Sequence, residues 1–150
     1  MGGHAWFYFV GYEPDVNAAL QKLREREFRA GRYNPAVWFP EFPVGPNSPS
    51  PGAQHGSIEE ALEDSDADGT RSILDMERVG DVPDYGVVVP LSRDELLDLF
   101  GTERPTREMI EGDDVADEFF ERLERGKGVY VIVYEGEQPS EIFFAGYSFD

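Results

Sequence analysis

The chain has 150 residues, 40% of them hydrophobic and 13% aromatic, which suits one compact domain with a closed core. Asp and Glu number 31 against 13 Lys and Arg, and the net charge of −18 repels phosphate backbones and anionic bilayers, so neither nucleic acid nor a membrane is expected as a partner. Cysteine is absent, which excludes disulfides, thiol nucleophiles and Cys-based zinc or iron–sulfur sites.

No apolar run approaches the roughly 20 residues needed to span a bilayer. Residues 1–6 carry no basic region of the kind that opens a secretory signal, so a soluble protein of the cytoplasm is the default expectation. Only Lys22 and Lys127 are lysines; the other cations are arginines. The acidic excess is either solubility chemistry or a face shaped to meet a basic protein.

In chain order, residues 5–12 are aromatic and β-rich and predict a first strand. Glu13, Pro14 and Asp15 then open a helix, with Pro14 tolerated in its first turn. Val16, Ala19, Leu20, Leu23 and Phe28 fall near a 3.6-residue period, and Gly31 is a plausible stop. From residue 32 to 56 the composition turns to Pro, Gly, Ser and Asn with Trp38, Phe39 and Phe42 embedded, an arm of a length that is usually functional or disordered. Pro40, Pro43, Pro46 and Pro49 would share one face of a polyproline II helix.

Ser57 with Glu60, and Ser92 with Glu95, have the spacing of capping boxes ahead of two helices, the second stopped by Gly101. Between them, residues 85–89 read as a strand ended by Pro90. A turn of helix is expected at 106–111, and Asp114 is placed as the cap of a further helix carrying Val115, Phe119, Phe120 and Leu123, with Gly126 as its stop. On that helix Glu118/Arg122 and Glu121/Arg125 have favourable (i, i+4) spacing. Residues 128–135 and 141–149 flank a short polar turn and predict a hairpin.

Together these give one α+β domain over residues 1–150, the 32–56 arm within it. A mixed or antiparallel sheet of about four strands is expected, with helices packed on one face. Alternation makes both sheet faces apolar or amphipathic, and the aromatic arm is the expected cover for the Tyr-rich one.

Asp64, Asp66, Asp68, Gly69, Thr70, Ser72 and Asp75 form the only spacing that by itself points to a ligand. Over these 12 residues the chain resembles the calcium loop of EF-hand proteins, which implies oxygen ligands from Asp64, Asp66, Asp68, the Thr70 carbonyl, Ser72 and Asp75, and a sharp turn at Gly69. Asp75 replaces the usual bidentate Glu, and Arg71 stands where such loops carry an aliphatic residue. An acidic turn without a specific site is therefore the expectation, no cofactor is required, and weak calcium binding is the alternative.

His55 is the only histidine besides His4 near the terminus, and no catalytic signature accompanies it: HExxH, the nucleophile elbow and phosphate-binding loops are all missing. The leading expectation is thus a non-enzymatic interaction or regulatory module with a basic protein partner. Its alternative is a ligand-binding protein or enzyme with a pocket between the Tyr-rich sheet face and the arm, lined by Trp38, Tyr8 and Tyr130 with Arg32 or His55 directed inward.

Overall fold

The computed structural model describes residues 5–36, 48–65 and 69–148, apart from the side chains at 113–116. The aromatic run at the start extends as β1 (Ala5–Gly11), burying Trp6 and Tyr8 to one side while Phe7 and Phe9 lie half-buried on the other. α1 (Val16–Ala30) follows, capped by the Asp15 carboxylate accepting from the Ala18 amide at 3.0 Å. Pro14 therefore precedes the cap instead of occupying the first turn. Gly31 ends the helix at φ 76°, and a Cβ there would lie 2.1 Å from the Gly52 carbonyl oxygen, so both backbone conformation and the passing chain demand glycine.

α2 (Ile58–Asp64) is capped by Ser57, whose hydroxyl accepts from the Glu60 amide. The Glu60 carboxylate accepts from Gly56 N–H at 2.8 Å, one residue earlier than a complete box would have it. A single 3-10 turn (Ile73–Asp75) leads to β2 (Arg78–Val79) and β3 (Val87–Pro90). α3 (Arg93–Phe100) has the full Ser92–Glu95 box and a left-handed Gly101. α4 (Arg107–Glu111) is capped by Thr106.

α5 (Asp113–Glu121) begins after Gly112 with no side-chain cap bond, so Asp114 lies within the helix and does not cap it. It also ends before Gly126. Glu118 and Arg122 pair at 2.8 Å as their spacing requires, whereas Arg125 lies beyond the helix in a bridge with Tyr147. Among the described residues no helix is long and apolar enough to cross a membrane.

β4 (Gly128–Glu135) and β5 (Gln138–Tyr147) make the C-terminal hairpin about Gly136 and Glu137, a tighter turn than the five residues expected. Pro139 is tolerated in β5 because it faces Tyr134 at a bulge, where the register shifts after Val133. The sheet order is β1-β5-β4-β3-β2, with β1, β5 and β4 antiparallel and β4, β3 and β2 parallel. The sheet is mixed and has five strands; the additional one, β2, is two residues long and leaves no alternation in the sequence.

Gly128 and Gly146 face each other across β4 and β5, and a Cβ at Gly146 would come within 2.5 Å of the Trp6 indole. The pair opens a slot in which that ring is seated.

Helices cover both faces, not one. On the first, Ala19, Leu20, Leu23 and Phe28 of α1, with Ala61 of α2 and Ile73, Leu74 and Met76, pack on Trp6, Tyr8, Ile142 and Phe144. On the second, Leu99, Ile110 and Phe119 from α3, α4 and α5 pack on Val131, Val133, Phe143 and Ala145. The physical reason is the two-sided apolar alternation of β1, β4 and β5, which needs a layer on each side. The Tyr-rich face thus lies beneath α1; Trp38, Phe39, Phe42, Pro40, Pro43 and Pro46 lie outside the described residues.

Candidate functional site

Two groups of polar side chains lie near α2. The first begins at Tyr33, fully buried and stacked on Phe28 with ring centroids 5.8 Å apart. Its hydroxyl accepts from the Gln54 amide at 3.1 Å and lies 2.8 Å from His55 Nδ1. On the other side of the ring His55 Nε2 lies 2.9 Å from Asp64 Oδ2, and because a carboxylate only accepts, Nε2–H is the donor there. The chain Tyr33–His55–Asp64 ties residues 54–55 to the core on one side and to α2 on the other. The same segment is held by the Gly52 amide donating to Ala30 and by Arg32 Nη1 donating to Ser50.

Arg32 is anchored by a second, deeper pair. Glu27 is 0% exposed and receives a fork from Arg32, Nε to Oε1 at 2.8 Å and Nη2 to Oε2 at 2.6 Å, with Arg26 Nε adding a third bond at 2.9 Å. The hydrogen bonds to Glu27 raise the Arg32 pKa further. Tyr8 is also 0% exposed, and burial followed by the nearby Glu27 charge drives its phenol far above the usual range. Its oxygen accepts from the Ile73 amide at 3.4 Å. Arg32 and Tyr8 are thus held inside the structure. Tyr130 is half-buried beside Phe144, its pKa raised by burial and by Asp81. His55 meets Tyr33 and not Tyr8 or Tyr130, and Trp38 lies outside the described residues.

The second group is a cleft of about 260 Å³ between α2, the 3-10 turn and the β2–β3 connection, lined by Leu62, Ser65, Gly69, Asp75, Glu77, Tyr85 and Gly86. Asp75 is its most constrained member at 7% exposed. One oxygen, Oδ1, accepts from Thr70 N at 2.7 Å and Thr70 Oγ1 at 2.8 Å, while Thr70 Oγ1 lies 2.9 Å from Ser72 Oγ. The other, Oδ2, is buried without a hydrogen-bond partner. Burial raises the Asp75 pKa against the Thr70 and Arg71 bonds and the Arg24 charge that lower it.

Arg24 acts on this carboxylate at a distance, its Nη1 bonding to Gln21 and its Nη2 to the Leu74 carbonyl. Desolvation lowers its pKa, while Glu77, Glu59 and Asp75 raise it. Three carboxylates around one guanidinium leave the neighbourhood net negative.

The members of the calcium-loop motif are placed as follows. Asp64 ends α2 and meets His55; Asp66 and Asp68 lie outside the described residues. The Thr70 carbonyl accepts from the Asn34 amide at 2.7 Å. Ser72 caps the 3-10 turn, and Asp75 holds Thr70. Among the described residues no three His, Asp or Glu side chains gather as a metal cage.

Leu62 and Tyr85 were not legible as neighbours of Asp75, because α2 and the β2–β3 connection meet there through tertiary packing. The one available signal was the Asp75 position inside the motif. Comparison with known proteins yields no matching family model, no matching curated protein and no matching solved structure.

Proposed function

We propose that this protein is a non-enzymatic interaction module that engages a basic protein partner through the end of the molecule formed by α2 and the β2–β3 connection. The observation that carries this reading is the turn at residues 81–85. There Val82 is 74% and Tyr85 63% exposed, the two most exposed large hydrophobic side chains among the described residues. Asp81 and Asp84 flank them, with Glu77 before the turn and Glu59 and Glu63 exposed on α2. None of these five carboxylates makes an ion pair among the described residues, although Arg26, Arg29, Arg32, Arg93, Arg107 and Arg122 all do. An apolar centre with an acidic rim that keeps a negative excess is the complement of a basic protein surface, and long-range attraction would speed the encounter. The same field opposes nucleic acid.

Zero-length carboxylate-to-amine cross-linking in extracts, read by mass spectrometry, tests this. The expected product is a basic protein joined through Glu59, Glu63, Glu77, Asp81 or Asp84. It should be lost in the Asp81→Lys/Asp84→Lys variant and kept when Asp94 and Glu108, on α3 and α4, are reversed instead. A partner retained by the first variant, or lost equally from both, would overturn the proposal.

A further inference from the structure

We infer that the cleft behind this turn is a receptor for a single primary ammonium group, the side-chain end of a lysine on the partner, completed by Asp75 Oδ2. The inference rests on the interaction reading above and assigns its anchoring residue.

Four observations converge on an ammonium. Asp75 is nearly buried, lines the cleft and has one oxygen satisfied twice by Thr70 and the other by nothing. A buried acceptor without a partner is costly, and a donor arriving with a ligand removes that cost. Glu77 lines the same space and supplies a second negative charge. Tyr85 supplies a ring at the mouth, and the chain's own Lys127 Nζ, paired with Glu124 at 2.7 Å, lies 5.6 Å from that ring's centroid, a distance at which an ammonium and an aromatic face interact. Leu62 provides apolar surface for an alkyl stem.

Geometry separates lysine from arginine. A guanidinium binds best as a fork on both oxygens of one carboxylate, and here Oδ1 is already engaged by the Thr70 amide and hydroxyl. One unpartnered oxygen suits a compact point donor. Calcium is disfavoured by number: it takes six to eight oxygens. Of the other polar groups at the cleft, Ser65 Oγ donates to Ala61 at 2.8 Å and the Gly69 carbonyl accepts from Asn34 at 3.0 Å.

The test is an amide-resolved NMR titration of the full chain at 0.15 M KCl, using as probes blocked lysine, its ε-acetylated form, blocked arginine and calcium chloride. The expected result is saturable shifts with lysine at Leu62, Ser65, Gly69, Glu77 and Gly86, at least tenfold weaker with arginine and absent with acetyl-lysine. Asp75→Asn should weaken lysine at least tenfold while preserving the remaining spectrum. Should that variant fail to fold, Leu62→Phe, which narrows the cleft from α2, must remove the shifts. Lysine shifts spread over the acidic surface and insensitive to these substitutions would overturn the site, as would saturable binding of calcium but not lysine. Because Asp75 is inside and residues 81 and 84 are outside, the two readings fail separately: a silent cleft with a partner still lost on reversing Asp81 and Asp84 rejects this inference alone.

Discussion

Asp75 combines two roles that a single carboxylate can divide between its oxygens. Oδ1 closes the 70–75 loop and Oδ2 is buried without a hydrogen-bond partner, so replacing the group with an amide of the same shape keeps an acceptor and removes the charge. Its folded-state pKa is raised by burial above the usual 3.8. The native state therefore holds this proton more tightly than the unfolded chain does. The associated stability is fully present below the unfolded value and is lost as pH rises through the folded one. Asp75→Asn should remove that loss, so the stability difference between variant and parent should shift in the variant's favour as pH rises from about 3 to 8. Urea denaturation at several pH values measures it; a difference independent of pH would mean that the carboxyl titrates alike in both states. Glu27 presents the opposite case, a buried carboxylate fully paired by Arg32 and Arg26. Leaving one member of such a pair alone typically costs about 3–5 kcal/mol.

At the scale of elements, β5 is the piece on which the sheet depends. It pairs with β1 on one side and β4 on the other, although it closes the described chain. Ile142 and Phe144 enter one helix-covered layer and Phe143 and Ala145 the other. Burying each large side chain is worth about 1.5–3 kcal/mol, and together they approach the roughly 5–15 kcal/mol by which a domain is stable. Deleting residues 141–150 should abolish the cooperative thermal transition, because β1 loses its partner strand and both layers lose their floor. Retention of a sharp transition in calorimetry would show that β1 and β4 can join directly.

Across the whole molecule, charge opposes folding more than any local contact reveals. Ion pairs occupy most of the arginines, yet the excess of 18 negative charges remains, and long exposed runs such as Glu59, Glu60, Glu63 and Asp64 repel one another. Salt at 0.1 M screens such repulsion beyond about 10 Å. The melting temperature should therefore rise by several degrees between dilute buffer and 1 M KCl, measured by circular dichroism. A flat response would mean that local pairing already neutralises the surface. The same field repels phosphates and anionic bilayers, which is the electrostatic ground for the basic partner proposed above.

Local chemistry was readable wherever residues a few positions apart act on one another. Ser57 and Ser92 cap helices with their own side chains, Gly31 and Gly101 stop them, and the C-terminal hairpin follows from two β-branched and aromatic runs. The charge balance and the lack of cysteine needed no structure at all. The two-residue β2, the second helical layer, the glycine slot for Trp6 and the Tyr33–His55–Asp64 chain depend instead on segments far apart in sequence, whose contacts leave no periodicity. The 64–75 motif shows the difference most directly. Its spacing made Asp75 a candidate metal ligand, but only packing decides that Thr70 takes one carboxylate oxygen while Tyr85 and Gly86 arrive from the β2–β3 connection to face the cleft that Asp75 lines. Spacing along a chain restricts which groups can be neighbours; burial determines which of their hydrogen-bonding positions are left for a ligand.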